Sequence, residues 1–224
     1  MTDILIEAFR GYVDSASEMC SVSTAVSNMK CKLSKGTNIL LGDIDSGGWS
    51  LSYALSMYGL CKDQRIMLNE ESRFYIDGKE ISIKQLSEHC CYIDRSNPLF
   101  SKHRTVADMI TKGLKHNENS DLSVQLVKDI FDITDERFER KLSGTGNEKY
   151  RCMTAIAFAY GKSVFCFPWM SQRMLDYYYM YLTDICNILN MLGKITVLPT
   201  NNDLLPVAKR AIIMPDYLRT SNKR

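Results

Sequence analysis

The residues best placed to do chemistry lie in one run, Gly42-Asp43-Ile44-Asp45-Ser46-Gly47-Gly48-Trp49-Ser50. Gly42 and Gly47 enclose four residues, after the apolar run Asn38-Ile39-Leu40-Leu41 and before apolar residues at helical spacing from Ser50 to Leu60. Strand, glycine loop and helix form the frame in which backbone N–H groups wrap phosphate oxygens. In a working loop of this kind a Lys follows the second glycine and a Ser or Thr follows the Lys. The Lys neutralises phosphate charge and the hydroxyl holds Mg²⁺. Here Gly48 stands in the Lys place and Trp49 in the hydroxyl place, with Ser50 one position late. Asp43 and Asp45 set carboxylates where an anion should enter. The expectation is a vestigial phosphate loop (Gly42, Asp45, Ser46, Gly47, Gly48, Trp49, Ser50) with at most weak nucleotide affinity.

The other reactive side chains form no comparable pattern. His89-Cys90-Cys91 is the sole Cys/His cluster, and zinc sites use about four ligands supplied as spaced pairs. No metal site is expected. The eight cysteines show no CxxC spacing, and Met1 to Glu7 has acids and no basic flank. No secretory signal is expected, and most cysteines read as small buried apolar residues. Residues 153–170 have the length of a membrane span, but Gly161-Lys162 and Pro168 interrupt them, so no span is expected. Tyr177-Tyr178-Tyr179-Met180-Tyr181 covers every face of a helix, so at least one of these side chains is expected at the surface. Asp176, Asp184 and Asp203 read as surface acids, and Arg219 to Arg224 as a solvated basic tail.

The surrounding elements alternate between strand and helix. Strands are expected at 2–10, 38–41, 66–68, 73–76, 90–93, 163–167 and 195–198, and Asp77-Gly78 marks a hairpin. Residues 18–33 alternate polar and apolar, but the Ser/Thr-rich run 15–28 reads equally as strand or loop. Helices are expected at 50–60, 105–114, 122–131, 134–141, 148–160 and 174–192, with a helical turn at 83–88, then a short helix and a strand within 204–214. This order indicates an α/β fold. The helices at 105–141 arrive together and read as a lobe inserted in that core.

Taken in order, the segments resemble the ATP-binding-cassette (ABC) ATPase. They are Gly42 to Ser50, Ile76-Asp77-Gly78-Lys79-Glu80-Ile81, Cys90 to Arg95, Pro98-Leu99-Phe100, Thr105 to Ile110, Leu142 to Arg151, the strand 163–167 and Gly193 to Asp203. The resemblance spans nearly the whole chain as a single domain, residues 1–224. It implies a P-loop NTPase-like sheet core with antiparallel edge strands. The family's phosphate-binding Lys falls on Gly48, its glutamine-loop Gln on or beside Arg95, its metal-binding and catalytic acids within Cys166 to Pro168, and its switch His on Asn201. None of those residues matches. The family's adenine-stacking aromatic aligns loosely with Tyr12. The signature loop corresponds either to Leu142-Ser143-Gly144 with two extra residues or to Thr145-Gly146-Asn147-Glu148 without a gap. The signature-like residues are therefore Ser143, Gly144, Thr145 and Gly146.

The resemblance implies a transporter's cassette subunit that does not hydrolyse ATP by itself, requires no cofactor and binds ATP weakly at most. Its implied partners are a multi-span membrane subunit, met through Arg95, Leu99 and Phe100, and a second ABC cassette, identical or different. The implied location is cytoplasmic, peripheral at the inner face of the membrane. The alternative is a scaffold or regulator that reuses the fold for protein binding. Net charge is +2 from 28 basic and 26 acidic residues, which argues against nucleic acid as a partner. With 45% hydrophobic and 24% charged residues in 224, the chain has the composition and length to bury a core without disulfide or metal staples.

Overall fold

The computed structural model describes residues 1–16, 21–60, 65–117, 121–202 and 208–214. The chain opens with two long antiparallel strands, β1 (Asp3–Ala16) and β2 (Ser21–Ser34). On its other side β1 pairs with β4 (Arg65–Leu68) and β5 (Arg73–Ile76), and β5 pairs with β6 (Lys79–Ile81). The β5–β6 turn holds Asp77 at φ 49° and Gly78 at φ 82°, two left-handed residues whose twist suits a tight hairpin. The Asp77 carboxylate accepts from the Thr2 N–H and hydroxyl and from the Asp3 N–H, tying the turn to the start of β1.

A second, parallel sheet runs in the order β10 (Ala208–Ile213), β3 (Gly36–Leu41), β9 (Ile195–Thr200), β8 (Val164–Cys166), β7 (Cys90–Tyr92). Every residue of β3, β7, β8 and β9 is buried, so neither face of these strands meets solvent. Helix α1 (Gly48–Met57) lies between the two sheets, and all ten of its residues are buried. A helix apolar all round has no water-facing stripe. Its serines turn inward and are satisfied: Ser52 Oγ donates to the Phe167 carbonyl at 2.6 Å, and Ser56 Oγ to the Ser52 carbonyl at 2.8 Å.

After α2 (Ile83–His89) and β7 come three helices in succession: α3 (Val106–His116), α4 (Val124–Ile130) and α5 (Asp135–Phe138). Each has a Ser or Thr N-cap, and α3 has a full capping box from Thr105 and Asp108. Helices α3 and α4 pack on α6 (Lys149–Ala159), α5 packs on α3, and α7 (Gln172–Met191) follows β8. The core forms two clusters. One lies between the parallel sheet and α3 to α7; the other surrounds α1 between the two sheets.

The α/β class and the order of elements agree with the sequence expectations. The Ser/Thr-rich region is strand from Ser21 onward, paired along β1. Residues 134–141 hold only the four-residue α5, because the chain then turns to form a bridge between Lys141 and Thr105. The helix expected near 204 falls outside the described residues. None of the described helices is long and apolar enough to cross a membrane.

Candidate functional site

The glycine loop sits where β3 ends and α1 begins, at the carboxyl edge of the parallel sheet. This is the position at which such sheets receive ligands. Gly42 N–H donates to the Thr200 carbonyl at 2.8 Å, anchoring the loop to β9. Gly47 caps α1 at φ 90°, a left-handed conformation that favours glycine. Ser46 folds back over Gly42: its Oγ donates to the Asp43 carbonyl at 2.7 Å and its N–H to the same oxygen at 3.0 Å. A Cβ on Gly42 would lie 2.1 Å from Ser46 Oγ, so the glycine is required by a side chain of its own loop. Asp43 is half-buried and Asp45 exposed.

The two tryptophans of the chain border this loop. Trp49 is 4% exposed and points under it, donating Nε1–H to the Tyr92 hydroxyl on β7 at 2.6 Å. Tyr92 meets Tyr53 edge to face at 5.0 Å. Burial, reinforced by the nearby Asp94 carboxylate, holds the Tyr92 phenol well above its ordinary value, so it stays neutral. Trp169, half-buried and directly after Pro168, donates Nε1–H to the Gly42 carbonyl at 3.0 Å. Ser50 is 2% exposed. Cys166, Phe167 and Pro168, where the family's acids would stand, are all buried. Cys166 O and Phe167 N are engaged in the sheet with Ile93 N and Val197 O. Asn201 is exposed at the end of β9.

These residues do not fit a magnesium–nucleotide complex. The loop's own side chains include two acids and no base. The hydroxyl place holds an indole committed to Tyr92, and Cys166, Phe167 and Pro168 offer no carboxylate to hold a metal. Gly48 could carry a larger side chain only tightly, since its Cβ would lie 3.3 Å from Leu40 Cβ and 3.4 Å from Pro199 Cβ. Among the described residues no three His, Cys, Asp or Glu side chains are grouped to bind a metal. The six described cysteines are buried and free.

The signature-like segment forms two 3₁₀ turns, Leu142–Gly144 and Gly146–Glu148, which lead directly into α6. Ser143, Gly144, Gly146 and Asn147 are exposed. Thr145 is not: it is fully buried, with Oγ1 donating to the Leu142 carbonyl at 2.8 Å. Arg137 Nη1 holds the Gly144 carbonyl at 3.2 Å, and the Tyr177 hydroxyl donates to Asn147 Oδ1 at 2.9 Å. Tyr177 is 62% exposed and Met180 75%, as the tyrosine-rich run requires.

The loop after β7 is built by Asn97, a residue that the sequence marks only as part of Asn-Pro. Asn97 is 3% exposed; its Nδ2 donates to the Tyr92 carbonyl at 3.0 Å and its Oδ1 accepts from Leu99 N at 2.9 Å. This turn carries Phe100 inward, where it is 4% exposed and belongs to the core beside α3. Phe100 is therefore a wall and not a projecting anchor. Leu99 is half-buried. Arg95 is half-buried, with Nη2 at 3.5 Å from the Leu142 carbonyl, so this loop touches the signature-like segment. The Tyr12 side chain and residues 215–224, with the basic tail, lie outside the described set.

No protein-family model matches the chain, and no curated protein matches it at a significant level. Solved structures do. A putative ABC transporter ATP-binding protein from Pyrococcus furiosus aligns at TM-score 0.66 and 12% identity, over 96% of this chain and 99% of that one. A bacterial ABC transporter cassette solved as a dimer aligns at 0.64 and 13% identity, over 94% of each chain. The ATP-binding subunit of another ABC transporter aligns at 0.62 and 12% identity, over 99% of this chain and 94% of that one. The likeness at this level of identity is one of fold: the chain carries, over nearly its full length, the α/β fold of ABC transporter ATP-binding cassettes.

Proposed function

We propose that the chain is a degenerate ABC-type cassette subunit of a membrane transporter, deficient in hydrolysis and supplying its signature-like loop to a partner cassette. The observation that carries this reading is an asymmetry. The phosphate loop is closed by its own Ser46 and covered by Trp169, while the loop before α6 keeps Ser143, Gly144, Gly146 and Asn147 exposed. In a head-to-tail pair of cassettes, a chain of this kind completes its partner's nucleotide site without running one of its own. The chain then acts at the cytoplasmic face, docked on a multi-span subunit through the loop at Arg95 to Lys102.

A second reading, a scaffold that uses the fold for binding alone, is supported by the Trp49–Tyr92 contact, which fills the metal-binding place with packed aromatic side chains. Purification from native membranes separates the two. A multi-span subunit and a second, intact cassette recovered with the chain support the transporter reading. Recovery of the chain with neither removes it.

A further inference from the structure

The amino edge of the parallel sheet, opposite the glycine loop, carries a row of basic residues. Lys35 precedes Gly36 of β3, Lys194 precedes Ile195 of β9, Lys162 stands two residues before Val164 of β8, and His89 precedes Cys90 of β7. The register pairs Gly36 with Ile195, Ile195 with Val164, and Val164 with Cys90, so these four residues stand side by side. Lys209 of β10 extends the row past β3: a Cβ on Gly36 would lie 2.5 Å from its Cδ. Lys35 leans toward Gly193, whose Cβ would lie 3.9 Å from Lys35 Cδ. Lys162 Nζ donates to the Glu88 carbonyl at 2.6 Å, and Lys194 Nζ lies 5.2 Å from the centre of the Phe158 ring. Lys35, His89 and Lys209 are exposed, and Lys162 and Lys194 half-buried. Burial pulls the Lys194 ammonium below its ordinary value, a penalty that an adjacent anion would offset. Among the described residues none of the four lysines is in an ion pair, and Asp3, near the Lys35 end, is taken by Lys32 at 2.7 Å.

We propose that this amino edge is a docking surface for an extended acidic segment of a partner polypeptide, with Asp or Glu at alternate positions. Cations one strand apart form a line, and four strand spacings cover about 19 Å, the length of about six extended residues. Alternate residues of an extended chain point the same way, so about three carboxylates face the row. A row of cations without paired acids favours an acidic partner and repels a basic one. The ring beside the row, Phe158, is 7% exposed beneath Lys194 and gives no platform on which a nucleotide base could stack. This edge is the far end of the sheet from the phosphate loop and from the loop after β7, so an acidic segment can bind there whichever reading of the function holds.

The test uses the purified full chain and a short fluorescein-labelled peptide of alternating Glu and Ser, read by fluorescence anisotropy. Binding is expected for this peptide and not for its Lys–Ser counterpart, and it should weaken as salt is raised. Lys35→Gln/Lys209→Gln, confined to exposed side chains, should raise the Kd about tenfold. Lys112→Gln/Lys141→Gln removes the same charge from exposed positions of the helical lobe and should leave the Kd unchanged. Circular dichroism confirms that both variants are folded. Absence of binding, binding that survives Lys35→Gln/Lys209→Gln, or an equal loss in the two double variants overturns the proposal. So does tighter binding of the chain to a single-stranded oligonucleotide or to phosphatidylserine vesicles, since either would show that the row selects phosphate over carboxylate.

Discussion

Trp49 places a buried indole at the second position after the glycine loop. Its indole N–H and the Tyr92 hydroxyl are a buried pair 2.6 Å apart. Removing one partner leaves the other desolvated and unsatisfied, which costs ~1–3 kcal/mol. Trp49→Phe and Tyr92→Phe should each lower the stability measured by urea unfolding. The double variant should cost less than the sum of the two, because it orphans neither group; strict additivity would show that the contact contributes nothing. The same geometry governs any attempt to restore the phosphate loop. From sequence alone, Gly48→Lys with Trp49→Ser should suffice to tighten ATP binding. The structure adds a third requirement, since Ser46 occupies the interior over Gly42. Calorimetry should detect improved ATP binding only when Ser46→Gly joins the other two changes, and equal binding without it would mean that Ser46 does not close the loop.

At the scale of elements, burial decides what was legible. The strand at 36–41 ends in the apolar run Ile39-Leu40-Leu41, and the helix at 48–57 carries apolar residues at helical spacing after glycines; these patterns locate both. The long β1–β2 ladder was less legible, because a Ser/Thr-rich stretch satisfies its backbone as well in a loop; only the pairing with β1 settles it. The glycine frame of the site was visible, but what fills it was not. Trp169 and Gly42 are 127 residues apart, and no local signal links an indole to a distant carbonyl. Phe100 is the corresponding case in the loop after β7. Local pattern shows an aromatic beside cations, whereas the Asn97 turn sends it inward. Phe100→Ala should therefore destabilise the fold by ~3–5 kcal/mol. A thermal melt should fall together with any loss of membrane association, so Phe100 cannot report on docking by itself. The capping box of α3 is a local unit: Thr105→Ala should cost ~0.5–2 kcal/mol. Hydrogen exchange should rise first in α3 to α5, and a rise confined to β7 and β8 would contradict that placement.

At the scale of the molecule, the buried thiols set an alkaline limit. Burial pushes Cys31, Cys91 and Cys152 up to about 12 and Cys186 to about 11, from an ordinary value of 9.0. A thiol is charged when deprotonated, so above pH 9.0 the unfolded chain releases protons that the folded chain keeps. The contribution of these thiols to stability is complete below that pH and is lost as pH rises through the folded values. Urea midpoints should be level between pH 7 and 9 and fall steeply beyond, with the thiols slow to react with an aromatic disulfide reagent until the chain unfolds. A midpoint that rises above pH 9 would contradict the burial of these residues. The central claim is that a cassette fold has kept its presenting loop and closed its own nucleotide site. The most direct test is titration of the purified chain with magnesium–ATP, read by tryptophan fluorescence and paired with a turnover assay. Both tryptophans border the loop. The account predicts a Kd of ~0.1–1 mM or weaker and no phosphate release above a blank. Micromolar binding, or turnover abolished by changing one acidic residue, would contradict it.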